Sequence, residues 1–196
     1  MRGPSPAPLV RARGRAPRIL GLGVLWFGCS EEGADRDAPA AIAPCTHVVS
    51  LESFTVIRDA LEDPWDHRPA APKCLDWAVH VEPIGEEAAL STATGPCPYM
   101  TATAPTLVAI PSGTELELRW FHFALTATAT AEAHAAARVA GHPVLDATIP
   151  IPSESGMVQT RWVAPEELPA GAAVHLHLHN HGDNSWAFLG LRTPCE

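Results

Sequence analysis

Short runs in which apolar and polar residues alternate dominate the chain from about residue 46 onward. The clearest run covers residues 174–181, where histidines take every second position and Val174, Leu176 and Leu178 lie between them. A β-strand sends successive side chains to opposite faces. The pattern therefore predicts a strand with an aliphatic row in a core and an imidazole row on the other side. The histidines are His175, His177, His179 and His181.

Comparable patterns, separated by Gly and Pro turns, predict the other strands. Residues 114–125 place Leu116, Leu118 and Trp120 inward, whereas 82–98 is expected to be an irregular acidic loop. The alanine-rich segment 126–137 could form a helix, but its strict alternation favours a strand. About eight antiparallel strands and no long helix predict an all-β, jelly-roll-like β-sandwich. The expected strands are 46–57 (one or two), 75–81 with Leu75, Trp77, Val79 and Val81 on one face, 106–110, 114–125, 132–140, 144–151, 158–163 and 186–191.

The N-terminal segment has the features of an export signal. Five arginines precede an apolar run, 19–27, that is too short to span a bilayer. We assign 1–28 to a signal peptide, 29–44 to a flexible acidic, Pro- and Ala-rich tether, and 45–196 to the β-sandwich domain. Beyond the signal, 8 basic residues stand against 22 acidic ones, a net charge of −14. This acidic surface argues against nucleic acid as a partner.

The end of the signal, Leu25 to Cys29, resembles the lipobox of bacterial lipoproteins, although Trp26 departs from that pattern. The resemblance implies lipidation of Cys29 and anchoring to a membrane. Ser30 at the next position suits the outer membrane. The alternative is an ordinary cleaved signal and a soluble periplasmic or secreted protein.

Four further cysteines in an exported chain predict two disulfides. Three pairings are possible. We favour Cys74–Cys97, which closes the more local loop, together with Cys45–Cys195, which ties the two ends of the domain.

The histidine row is the sharpest chemical signal. Same-face neighbours on a strand lie roughly 6.5–7 Å apart, so two imidazoles can converge on one metal ion. A zinc or copper site built from this row could take a third ligand from His122, His134 or Asp183. The alternatives are a half-exposed sheet face whose imidazoles bond to Glu and Thr, and a face that donates hydrogen bonds to ligand hydroxyls.

The turn that follows the row offers a second candidate site, for a polar ligand. Amide and carboxylate groups flank an indole, a combination that suits a sugar ring. The alternative is that these residues are turn formers and Trp186 belongs to the core. Trp65, in a proline-flanked loop, is a further candidate platform. The candidate residues are His179, Asn180, His181, Asp183, Asn184 and Trp186.

The second half of the chain, about 106–192, resembles galactose-binding-like and carbohydrate-binding jelly-roll modules. The resemblance depends on the segments VAGHPV (139–144), APEELPAGAAVHLHL (164–178) and NSWAFLGL (184–191). It implies a β-sandwich that recognises carbohydrate without catalysis.

Motifs of the common hydrolase, nucleotide-binding and metalloprotease classes do not occur in the sequence. The fragment His80-Val81-Glu82 with Cys97 lacks the second cysteine of the zinc deaminase signature. We therefore predict a non-catalytic binding or structural module without a cofactor. The alternatives are a zinc- or copper-binding envelope protein that uses the histidines, and a metal-dependent enzyme on the same residues.

Overall fold

The computed structural model describes residues 41–195, which form ten antiparallel strands and two short 3-10 turns. The predicted signal, the lipidation site Cys29 and most of the tether lie outside these residues. Among the residues described, no helix is long and apolar enough to cross a membrane. The strands are β1 (Thr55–Val56), β2 (Val79–Ile84), β3 (Glu87–Ala93), β4 (Tyr99–Pro105), β5 (Glu115–His122), β6 (Ala131–Val139), β7 (His142–Ile151), β8 (Gly156–Val163), β9 (Ala173–His179) and β10 (Ser185–Arg192).

The strands form two five-stranded sheets, as predicted for a jelly-roll-like β-sandwich. The first sheet has the order β1-β4-β9-β6-β7, and the second has the order β2-β3-β10-β5-β8. Consecutive strands repeatedly change sheet: β4, β5 and β6 lie in the first, second and first sheets in turn. The histidine strand β9 is the central strand of the first sheet, so both of its neighbours can contribute side chains beside the imidazoles.

In β5 and β9 the alternation of apolar residues correctly predicted which side chains face the core. Leu116, Leu118 and Trp120 of β5 are fully buried, and so are the aliphatic residues of β9. From β10, Trp186 packs edge-to-face against Trp120, with ring centroids 6.0 Å apart. The inner faces of the two sheets thus interdigitate around a tryptophan-centred core, as in other sandwiches.

Two disulfides close the fold, with the pairing that the sequence favoured. Cys45–Cys195 joins the segments that precede and follow the strands. Cys74–Cys97 ties the long connection between β1 and β2 to the segment before β4. This second bridge restrains the connection that lies over the outer face of β9.

The prediction that 82–98 is an irregular loop was wrong, because this segment contains β3. Its residues Glu87–Ala93 are mostly Ala, Ser and Thr, which give a weak strand signal although four of them are buried. Strand β4, Tyr99–Pro105, was also not predicted; the expected strand at 106–110 is reduced to bridges at Thr106 and Ile110.

The expected alternation over 75–81 was wrong in its first half. A 3-10 turn, Asp76–Ala78, leaves Leu75 and Trp77 exposed, and the strand begins only at Val79. The segment 46–57 forms a 3-10 turn at Leu51–Ser53, the two-residue β1 and isolated bridges.

The ambiguous alanine-rich segment is a strand, as its alternation favoured. Strand β6 covers Ala131–Val139 and pairs with β7 through a two-residue turn, Ala140-Gly141. Both turn residues have positive φ, 49° and 83°, which is the conformation that tight hairpin turns require. On its other side β6 pairs with β9, which places His134 in register with His179.

Candidate metal site

The outward face of β9 carries imidazoles between two rows of polar side chains. On one side, β4 pairs Tyr99 with His179 and Thr101 with His177. On the other side, β6 pairs His134 with His179. It also places the small Ala136 opposite His177, which leaves space above the sheet at that point.

The connection between β1 and β2 covers the middle of this row. Trp65 stacks on His177 with ring centroids 4.9 Å apart and an angle of 25° between the planes. The Arg138 guanidinium lies over the Trp65 ring, 5.1 Å from its centroid. It also donates a hydrogen bond to the Pro64 carbonyl at 2.8 Å. As a result His177 is fully buried, although it lies on the outer face of a sheet.

Three histidines converge beneath this covering. His67 of the connection, His134 of β6 and His177 of β9 each place one ring nitrogen within 4.8 Å of the other two. The Nε2 atoms of His67 and His177 are 2.9 Å apart. A tetrahedral zinc ion about 2.0–2.1 Å from each nitrogen would hold the nitrogens about 3.3 Å apart. No pair of these nitrogens therefore needs to change its separation by more than about 1.5 Å to reach the spacing of a three-imidazole site.

The electrostatics keep His177 neutral. Burial, together with the neighbouring imidazoles of His67 and His134, lowers the pKa of His177 to about 3. Burial also lowers the pKa of His179, with a further contribution from His181. Because only a neutral imidazole has a lone pair for a metal, His177 is ready to act as a ligand at neutral pH.

A buried carboxylate lies behind the cluster. The Asp63 side chain has no exposed surface and pairs with Arg68, whose guanidinium donates at 2.6 Å. The hydroxyls of Tyr99 and Thr101 donate to the same oxygen at 2.9 and 3.1 Å. The Thr101 hydroxyl is also 3.4 Å from Nδ1 of His177. Burial raises the pKa of Asp63, but these hydrogen bonds outweigh it and hold the pKa below its usual value.

A second carboxylate contacts the cluster from its exposed side. Asp146 of β7 lies 2.8 Å from Nε2 of His134, and its side chain is largely exposed. Metal-bound histidines commonly bond to a carboxylate through the nitrogen that does not face the metal. Two of the three histidines therefore have carboxylates nearby, one direct and one through a hydroxyl.

The structure places two of the predicted histidine ligands in this cluster and leaves the others outside it. His179 borders it, with its ring centroid 6.4 Å from that of His67, and His181 lies next to His179 at 5.0 Å. His175 has a buried Nδ1 without a hydrogen-bond partner. His122 belongs to the second sheet, where Nδ1 lies 3.0 Å from the Phe123 carbonyl, so it cannot reach the site.

Sequence analysis missed His67, although it considered Trp65 two residues earlier. The signal was present in the run Asp63-Pro64-Trp65-Asp66-His67-Arg68-Pro69, which places an imidazole two residues after the tryptophan. What the sequence could not give is the position of this loop above β9. Trp65 itself is 8% exposed and covers His177, so it is not an open platform for a ligand.

The turn after β9 does not present the aromatic platform that was predicted for it. Trp186 is fully buried in the core, and its indole N–H donates to Asn180 at 3.1 Å. The Asn184 amide is also buried and holds both backbone groups of Thr126, so it is committed to the fold. Of the predicted turn residues, only His181 and Asp183 are exposed.

The zinc deaminase fragment is also accounted for by the fold. Cys97 is bonded to Cys74, and His80 lies on the exposed edge strand β2, where it is 3.7 Å from Glu82. Neither residue is in the histidine cluster.

No protein-family model matches the chain, and a search of curated proteins finds no match either. Among solved structures, the chain is similar to the N-terminal cellulose-binding domain of Cellulomonas fimi β-1,4-glucanase C. That similarity has 17% identity over 81% of this chain and 99% of that one, with a TM-score of 0.41.

Two other solved structures show a similarity of the same order. The CBM22-1 xylan-binding domain of Paenibacillus barcinonensis Xyn10C has 12% identity over 80% of this chain and 99% of that one, with a TM-score of 0.41. The CBM22-1-GH10 modules of Clostridium thermocellum xylanase 10B have 9% identity over 77% and 29% of the chains, with a TM-score of 0.43. With TM-scores below 0.5, these similarities do not identify a ligand or a family for the chain.

Proposed function

We propose that the protein is an exported, lipid-anchored β-sandwich that binds a divalent transition-metal ion, zinc or copper, through His67, His134 and His177. The observation that supports this proposal is the convergence of three imidazole nitrogens within 4.8 Å under a stacked tryptophan. Histidines that only make a sheet face soluble would stay exposed and would not lie beneath a stacked tryptophan.

The ligand set selects the class of metal. Three neutral imidazoles suit zinc, copper or nickel, whereas calcium and magnesium require oxygen ligands. The ligands come from a loop and two different strands, so they approach the ion from three directions, as a tetrahedral site requires. His67 is the exposed member, and the fourth position would lie on the solvent side.

A binding role is proposed before a catalytic one. A metal with three protein ligands and an open position is also the arrangement of catalytic zinc sites. A metal-dependent enzyme is therefore the alternative, and it depends on the same three residues. Carbohydrate recognition near His181 and Asp183 stays a prediction, because the indole that would stack on a sugar ring is buried in the core.

Measurement of bound metal tests the site directly. The purified protein is loaded with zinc or copper, desalted and subjected to elemental analysis. We expect about one equivalent in the wild type and a loss of most of it in His67→Ala, because that site keeps only two imidazoles. His67 is exposed, so its replacement should leave the fold intact.

His142→Ala provides the matched control. His142 is a partly exposed imidazole in a carboxylate pair, 2.9 Å from Glu166, and lies outside the cluster. It should retain the wild-type metal content. A wild type that carries no metal, or a His67→Ala variant that carries as much as the wild type, would refute the proposal.

The envelope location rests on different observations. Two disulfides are typical of an oxidising compartment, and the leader with Cys29 has the order of a lipoprotein signal. We expect the protein expressed in a bacterium to incorporate a labelled fatty acid and to sediment with membranes. Cys29→Ala should lose both properties. An unlabelled wild-type protein in the soluble fraction would favour the cleaved signal instead.

A further inference from the structure

The Asp63 carboxylate is buried behind the histidine cluster, where it cannot contact the metal itself. Its side chain has no exposed surface, and the Trp65 backbone N–H donates to one oxygen at 3.1 Å. The other oxygen receives the Arg68 guanidinium and the hydroxyls of Tyr99 and Thr101. Burial of a carboxylate is costly even when it is paired, so this position calls for an explanation beyond the anchoring of a loop.

The direction of the hydrogen bonds is determined by chemistry. An ionised carboxylate can only accept, so the Thr101 hydroxyl must donate its single proton to Asp63. The oxygen of that hydroxyl can then only accept from Nδ1 of His177, which must carry the ring proton. In a neutral imidazole the lone pair consequently lies on Nε2, the atom that is 2.9 Å from Nε2 of His67.

We infer that Asp63 is a positioning residue that acts through Thr101 to hold His177 in the Nδ1–H tautomer, with the Nε2 lone pair aimed at the metal position. This inference rests on the proposed metal site. The same carboxylate also fixes the covering loop through Arg68 and the Trp65 backbone. One buried group therefore orients the ligand on β9 and secures the loop that carries His67.

The tautomer can be measured without any metal. In the metal-free protein, the ¹⁵N shifts of His177 distinguish a protonated Nδ1 from a protonated Nε2. We expect the wild type to show the Nδ1–H form. Thr101→Val, which keeps the shape of a buried side chain but removes the hydroxyl, should lose this preference. Thr101→Ser, which keeps the hydroxyl, should restore it.

Tyr99→Phe is the matched control for general weakening of the network. It removes one hydrogen bond to the same Asp63 oxygen and keeps the aromatic ring, whose centroid lies 4.8 Å from that of His177. It should leave the tautomer unchanged. Should Thr101→Val fail to fold, Asp63→Ala serves instead: it removes the acceptor, which frees the Thr101 hydroxyl to donate to Nδ1 of His177, so the preference for the Nδ1–H form should again be lost. A wild type with Nε2–H, or a tautomer indifferent to these changes, would overturn the inference.

Metal affinity gives the second measurement. Loss of an outer partner of a metal-bound histidine typically weakens binding by about 10–100-fold, and we expect this of Thr101→Val in a zinc competition titration. Thr101→Ser and Tyr99→Phe should stay close to the wild type. If the wild type binds zinc and Thr101→Val binds it equally well, the positioning role fails while the metal site stands. If the wild type binds no zinc, the metal site fails, and the tautomer measurement still reports on Asp63.

Discussion

The outer face of β9 at His177 and the turn that follows the strand use similar polar residues for different purposes. At His177 three imidazoles each place one ring nitrogen within 4.8 Å of the other two, and the 2.9 Å contact between His67 and His177 joins two ring nitrogens of the cluster itself. In the turn, Asn180 and Asn184 use their amides on Thr94, Thr126 and Trp186. A polar cluster that is fully satisfied internally supports the fold, whereas one that leaves lone pairs converging can bind a ligand.

The largest expected effect is a loss of stability when a buried residue that contacts the turn is replaced. Trp186→Ala removes a fully buried indole that packs on Trp120, so it should lower the free energy of unfolding by about 3–5 kcal/mol. Chemical denaturation measures this loss. The folded fraction should keep its metal content, since Trp186 faces the core and not the histidines.

A ligand-binding role for Trp186 would give the opposite result. In that case stability would change little, and binding of a glycan would be lost. The comparison therefore separates a core residue from a recognition residue with one variant and two measurements.

The next effect concerns the histidine side. An ion that binds only the folded protein stabilises it by about 2.7 kcal/mol at a concentration 100-fold above its dissociation constant. We expect zinc to raise the free energy of unfolding of the wild type by about this amount. His67→Ala, which keeps the sheet but loses the loop ligand, should show little stabilisation, and His142→Ala should behave like the wild type. Equal stabilisation of His67→Ala would mean that zinc acts elsewhere.

A third prediction tests the carboxylate that joins the loop to the strand. Burial raises the pKa of Asp63, but its hydrogen bonds prevail and hold the folded-state pKa below the unfolded value of 3.8. Between these two pKa values the unfolded chain binds more protons than the folded one, so stability rises with pH there. The contribution is present above pH 3.8 and is lost as the pH falls through the folded-state pKa.

Asp63→Asn removes this titration, so its acid unfolding curve should be flatter than that of the wild type below about pH 4. Asp146→Asn is the matched control, because Asp146 is a largely exposed carboxylate beside the same cluster. Its acid unfolding should follow the wild type. If the stability of Asp63→Asn falls with decreasing pH as steeply as that of the wild type, other carboxylates govern the loss of stability in acid.

The sequence predicted the parts of this molecule that depend on local alternation. The inward rows of β5 and β9 followed from side-chain parity, and so did the class of fold. Strand β3 was not predicted, because most of its buried residues are Ala, Ser and Thr, whose hydrophobic signal is weak. Parity also placed the imidazoles of His175, His177 and His179 on one face, opposite polar partners on β4, whereas strand β9 ends before the fourth predicted member, His181.

The remainder of the site depends on contacts between distant parts of the chain. His67 lies 110 residues before His177, and nothing in the local pattern of its loop indicates which sheet it covers. Trp186 and Asn184 have the composition of a sugar site, but the burial that commits them to the core is a property of the assembled sandwich. Composition can therefore suggest ligands, whereas only the packing shows which polar groups remain available.

The smallest expected effect lies on the boundary between the two regions. His181 is exposed at the end of the imidazole row, and its side chain is not one of the three convergent ligands. His181→Ala should change the free energy of unfolding by less than about 0.5 kcal/mol, as surface substitutions usually do. Its zinc content should equal that of the wild type. A loss of zinc in this variant would mean that the metal site extends beyond β9 into the turn. The boundary between the convergent histidines and the internally hydrogen-bonded turn would then not lie at His179.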